Sequence, residues 1–208
     1  VVENTNMFAG GTPYDLDQLR ALRSMTSLPI HMDGARLFNA HVATGISLAN
    51  YAAPVTTVMS CLSKGLCAPV GSLLAMPADL LDAARIERKR LGGAMRQVGI
   101  LAAAGLVALD NQIARLADDH ERAARLAAAL RERFDGVQPV VTNIVALEHP
   151  GARELVASLE EHGVLAGTVS PTRLRLVTHA NLTDEDITTV CEAIGRLPAP
   201  LETARFAE

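Results

Sequence analysis

With 208 residues, 49% of them hydrophobic and 20% charged, the chain is long enough to bury one large core or two small ones and too apolar to be disordered. Its formal net charge of −4 offers no basic face, which sets nucleic-acid binding aside. No uninterrupted apolar run reaches transmembrane length, and 3 cysteines lacking a C-x-x-C spacing argue against a metal site or a disulfide framework, with a reducing cytoplasm as the expected compartment.

The first residues, Val1-Val2-Glu3-Asn4, are no signal peptide and read as the end of a buried strand, so a piece of a longer protein is expected. Glu3-Asn4-Thr5-Asn6 followed by Gly10-Gly11-Thr12-Pro13 is a polar loop. Leu16, Leu19 and Leu22 at helical spacing predict a helix over 15–25, capped by Asp15. Residues 28–33 form a short predicted strand ending in Asp33, after which Gly34-Ala35-Arg36 turns into the next helix. The carboxyl ends of strands in parallel α/β sheets face the ligand crevice, and Asp33 stands at such an end. The next strand is predicted over 54–60, with Lys64 just past its carboxyl end and strand-like residues again over 72–76. A lysine on a loop between two buried strands loses hydration, which favours a nucleophilic amine over the ammonium. Such an amine condenses with a carbonyl such as that of pyridoxal phosphate (PLP). Ser63 can donate to a phosphate, and Gly65 lets the backbone pass close to a flat ligand. Taken alone, Ser63-Lys64-Gly65 reads as a surface lysine in a Gly-Pro loop.

Pro77 opens a predicted helix that runs to about Arg90. Gly92-Gly93-Ala94-Met95-Arg96-Gln97 then feeds a helix N-terminus, an anion site to which Arg96 adds a bidentate charge; a plain helix–helix turn is the alternative. The helix over 95–109 is almost wholly apolar and is expected to be buried. Over 112–133, Ile113, Leu116, His120, Ala124, Ala127 and Leu130 form one stripe among Arg, Asp and Glu, so His120 reads as a packing residue. A second domain begins there, giving an expected division into 1–111 and 112–208. It carries a strand over 143–147, a helix over 152–162 ended by Gly163, a strand over 164–166, and an alternating strand over 172–178 with Leu174 and Leu176 on one face. Thr183-Asp184-Glu185-Asp186 resembles a capping box ahead of a last helix. Strand, helix, strand, strand, helix is an α+β sandwich.

Four motifs in this order carry a family resemblance: residues 31–40 (His-Met-Asp-Gly-Ala-Arg-Leu-Phe-Asn-Ala), Cys61-Leu62-Ser63-Lys64-Gly65-Leu66, residues 91–97 (Leu-Gly-Gly-Ala-Met-Arg-Gln), and Arg173-Leu174-Arg175-Leu176-Val177-Thr178-His179. Together they resemble low-specificity L-threonine aldolases, fold-type I PLP enzymes of the β-eliminating lyase group. The resemblance implies an α/β PLP-binding large domain, here its carboxyl-terminal part (1–111), and a small α+β domain (112–208). It implies PLP as cofactor, an amino-acid substrate and a homo-oligomer, a dimer of dimers. It also implies roles: Lys64 forms the Schiff base, Asp33 pairs with the pyridine nitrogen, and Arg36 lies near the cofactor O3′ and the substrate carboxylate. Arg175 clamps the α-carboxylate, and Arg96 reaches the phosphate region from a neighbouring subunit. Three positions depart from the family pattern, Asn6 where His is usual, Cys67 where Gly is usual and Ala94 for a common third Gly. The family's phosphate loop and ring-stacking His would lie upstream of Val1. Lysine and acid are shared across PLP lyases, so β-elimination stays open as the alternative, as does a non-catalytic piece of such an enzyme.

Overall fold

The structure, a computed structural model, describes residues 1–198, which divide into two units. One comprises Val1–Met7 with Thr12–Ala117; the other comprises Phe8–Gly11 with the residues from Asp118 on. The boundary expected after residue 111 falls instead after Ala117, inside the first turn of a helix, and part of the N-terminal loop belongs to the second unit.

In the first unit β1 (Val2–Glu3), β2 (His31–Gly34), β3 (Thr57–Cys61) and β4 (Ser72–Ala75) lie side by side in that order. The first three are parallel and β4 runs antiparallel to β3. Parallel neighbours need long crossovers, and helices supply them. α1 (Leu16–Ser24) links β1 to β2, while α2 (Leu37–Thr44) and α3 (Leu48–Ala52) link β2 to β3. Asp15 caps α1, accepting the Asp17 and Gln18 N–H groups at 2.7 and 3.4 Å. Met32 and Val58 from the sheet pack with Leu19, Leu37, Ala40 and Tyr51 from the helices. Each large side chain wholly buried in this way contributes on the order of 1.5–3 kcal/mol.

Three expectations differ from the structure here. β2 begins at His31, because Pro29 lacks the N–H a ladder needs and Leu28 is 70% exposed. Pro77 precedes a single 3₁₀ turn, Ala78–Leu80, and α4 (Leu81–Arg90) starts after it. The apolar helix forms as α5 (Gly99–Asn111) but is not buried: only Gly105 and Ala108 are, and Ile100 is 83% exposed. One side of α5 meets the cluster of Phe38, Leu62, Leu66 and Leu116. No layer among the described residues of this unit covers the rest, and β4 is likewise exposed at every position.

The second unit contains most of α6 (Leu116–Arg131), then β5 (Ile144–Glu148), α7 (Ala152–Glu161), β6 (Gly167–Ser170), β7 (Arg173–Val177) and α8 (Asp184–Arg196). Its sheet is antiparallel with order β5-β7-β6. Val145, Leu147, Leu174 and Leu176 share one core with Leu126 and Leu130 of α6, Leu155 and Leu159 of α7, and Ile187 and Ile194 of α8. The strand expected at 164–166 forms later, at Gly167–Ser170, because the Val164 N–H is taken by the Leu159 carbonyl at 3.0 Å to close α7. A buried polar knot completes the unit: the Thr178 hydroxyl donates to the Asp119 carbonyl at 2.6 Å, and the Asn143 amide to the Thr178 carbonyl at 2.9 Å. Buried polar groups persist when paired in this way.

Candidate active site

β2 and β3 bring two chemical residues to one end of the first unit's sheet. In their register Asp33 stands opposite Met59 and Gly34 opposite Ser60. A Cβ at Gly34 would lie 2.5 Å from the Met59 carbonyl oxygen, so the strands close here only because residue 34 has no side chain. Asp33 is half-buried, and its Oδ1 accepts the Ala35 N–H at 3.0 Å. That bond turns the chain sharply off the strand and sets Arg36, half-buried, at the N-cap of α2.

Lys64 lies in the turn that follows β3. Leu62, Leu66 and Ala68 point into the apolar cluster with Phe38 and Leu116, while Ser63, Lys64 and Cys67 are exposed. Backbone bonds Ala68 N–H to Leu62 O (3.0 Å), Leu62 N–H to Gly71 O (3.0 Å) and Cys67 N–H to Lys64 O (2.9 Å) close the turn. Cys67 is left-handed (φ 61°), the conformation that favours glycine at that position. The exposure of Lys64 corrects the sequence expectation of a lysine held between two buried strands. β4 is a sheet edge, and within this unit no layer covers it. The Lys64 amine makes no hydrogen bond or ion pair among the described residues. Below it, the Gly65 carbonyl accepts from Arg115 Nη2 at 3.0 Å and from the Cys67 thiol at 3.4 Å.

Asp33, Arg36, Ser63 and Lys64 thus gather at the carboxyl ends of two adjacent parallel strands. Arg96 does not join them by any bond: it lies exposed in the loop before α5 and has no hydrogen bond or ion pair among the described residues. Arg175 belongs to the second unit, on the β7 face opposite Leu174 and Leu176. There it lines a pocket of about 530 Å³ with His179, Thr189, Leu126, Leu165 and Val190.

Sequence reading passed over two features. At the carboxyl end of β1, next to β2, the Asn4 Nδ2 and Thr5 Oγ1 atoms are buried with no partner among the described residues, although Asn4 Oδ1 accepts the Tyr14 N–H at 3.2 Å. The other is Arg115, whose contact with Gly65 spans 50 positions. Neither leaves a periodic trace, since one sits in a polar loop and the other between two helices. The donor set fits PLP: a carboxylate for a ring N–H, an amine for a carbonyl carbon, and a glycine beside that amine where a Cβ would stand 2.6 Å from Leu116 Cδ2.

Comparison with known proteins places this geometry. The β-eliminating lyase family model matches residues 1–149. The low specificity L-threonine aldolase of Escherichia coli (strain K12) is 43% identical over 166 residues, covering 79% of this chain and 49% of that protein. Low-specificity L-threonine aldolase 1 of Arabidopsis thaliana is 35% identical over 197 residues, covering 89% and 55%. The chain spans about half the length of the curated relatives it matches. Among solved structures, the threonine aldolase of Leishmania major superposes with a TM-score of 0.76 at 22% identity, over 93% of this chain and 59% of that one. A likeness of that kind also extends to a serine palmitoyltransferase from Sphingomonas wittichii, with a TM-score of 0.73 at 20% identity over 95% of this chain and 56% of that one. The fold is the fold-type I architecture expected from the motifs.

Proposed function

The chain belongs to the β-eliminating lyase family, and on that premise we propose that the whole protein is a PLP-dependent threonine aldolase, splitting L-threonine or L-allo-threonine into glycine and acetaldehyde. The observation that carries this reading is the placement of Asp33 and Lys64 at the carboxyl ends of adjacent parallel strands. When bound, PLP supplies the electron sink for the pair released as Cα–Cβ breaks. Lys64 is the nucleophile that holds the cofactor carbonyl carbon, and its exposure leaves the amine free to reach it. Asp33 accepts the ring N–H and keeps that proton in place. Arg36 in the first unit and Arg175 in the second are each a planar fork of the kind that binds a substrate carboxylate and so orients the breaking bond. Ser63 and Arg96 take the phosphate. The β-hydroxyl proton goes to water or to a group outside this set. The exposed apolar flank of α5 supports a homo-oligomeric assembly for the whole protein.

The test supplies PLP and L-threonine, L-allo-threonine, serine or phenylserine to the full-length protein. Aldehyde release from the β-hydroxy substrates with glycine as co-product is expected. Ammonia with a 2-oxo acid would assign β-elimination instead, and no aldehyde from any of the four would end the proposal.

A further inference from the structure

We propose that Arg115 is a positioning residue for Lys64: its guanidinium fixes the peptide carbonyl that follows the lysine and so sets where the amine starts. The proposal rests on the reading that Lys64 holds the cofactor. The side chain is half-buried in the connection between α5 and α6, and two bonds fix it at once. Nη2 donates to the Gly65 carbonyl at 3.0 Å, and Nε donates to the Gln112 side-chain oxygen at 3.0 Å. A planar fork can serve two acceptors in fixed directions, which an ammonium cannot do as well. The bond to Gly65 is charge-assisted, which makes it stronger than a neutral bond of the same 3.0 Å length.

The same connection acts on Gly65 a second time. Leu116 is wholly buried, and its Cδ2 would lie 2.6 Å from a Cβ at residue 65. Gly65 is therefore held by charge at its oxygen and by packing at its α-carbon. The need for such a hold follows from the turn itself, where Ser63, Lys64 and Cys67 are all exposed. Besides Arg115, the Gly65 oxygen accepts from the Cys67 thiol, a weak donor at 3.4 Å. The lysine amine hangs on four rotatable bonds, so the fold can control only its backbone origin. Reactive groups misplaced by about 1 Å lose rate on the order of 10²-fold, which makes that origin worth fixing.

The experiment mixes the full-length apoprotein with PLP and follows the visible absorbance of covalently captured cofactor, beside the thermal midpoint of each variant. Arg115→Gln should capture PLP at least about tenfold more slowly than the natural protein, within the range such misplacement produces. Arg115→Lys should recover most of that rate, because an ammonium can still reach one carbonyl. Gln112→Ala should slow capture by less, since it removes one acceptor of the guanidinium and leaves the group itself in place. A role in stability alone would lower the midpoint and leave the capture rate of folded protein unchanged, and that result in Arg115→Gln overturns the proposal. Should Arg115→Gln not fold, an unchanged rate in Gln112→Ala overturns it by itself. If the natural protein captures no PLP, the assignment of Lys64 fails and the proposal with it; capture by the natural protein at a rate all variants share defeats Arg115 alone.

Discussion

Lys64 and Arg175 divide the proposed chemistry, and two alanine substitutions in the full-length protein separate them. Lys64→Ala removes the amine at the β3 end, and the chain's other lysine, Lys89, lies in the exposed α4, so covalent capture of PLP and turnover should both fall by orders of magnitude. Arg175→Ala should keep the cofactor spectrum and lose substrate affinity and rate together, because a charge-assisted bond of about 1.5–3 kcal/mol also orients the scissile bond. Loss of cofactor in Arg175→Ala with an intact spectrum in Lys64→Ala would reverse both assignments. Gly65→Ala drives a methyl to 2.6 Å from Leu116 Cδ2 and should cost about 1–3 kcal/mol, measured as a lower denaturation midpoint. His120 gives a pH dependence. Burial lowers its pKa below the usual 6.5, with Asp119 opposing more weakly. The unfolded chain therefore takes up the proton first as pH falls. Stability from this residue is fully present above pH 6.5 and declines from there toward the lower folded-state value. His120→Gln should flatten the loss of denaturant resistance between neutral and mildly acid pH, and an unchanged slope would remove His120 from that account.

Among the elements, α8 shows how far local signals reach. Thr183 Oγ1 accepts the Asp186 N–H at 3.1 Å while Asp186 Oδ2 accepts the Thr183 N–H at 2.7 Å, the reciprocal box its sequence announces. Thr183→Ala should destabilise the protein by about 1 kcal/mol, read as a shift in denaturation midpoint, and a null shift would mean α8 is held by its core contacts alone. α1 with its Asp15 cap and β7 with its alternating leucines were legible for the same reason: each signal lies within a few residues. Two other elements were not. The strand expected at 164–166 moved because the Val164 N–H closes α7 on Leu159, and α5 reads as buried from its composition although only Gly105 and Ala108 are. At the site, the Asp33 and Lys64 strand ends were readable from pattern and motif. Arg115 and the unpartnered Asn4 and Thr5 atoms depend on contacts that periodicity does not encode.

For the molecule as a whole, the apolar surface is the feature its sequence hides. Leu91, Ile100, Leu106 and Val107 are all more than half exposed. Large apolar side chains exposed together on one helix, as Ile100, Leu106 and Val107 are on α5, mark interaction surfaces. The chain produced by itself should bind an apolar dye and self-associate in sedimentation, and Ile100→Lys with Val107→Lys should suppress both; a monodisperse, dye-silent chain would contradict the exposure. On the proposed function, the lysine at the β3 strand end is the one that holds the cofactor. Borohydride reduction of the full-length protein loaded with PLP, followed by peptide mass mapping, locates that lysine. The cofactor's mass is expected on the peptide that contains Lys64. Its appearance on Lys89 or on any other lysine, with the Lys64 peptide unmodified, would contradict that assignment.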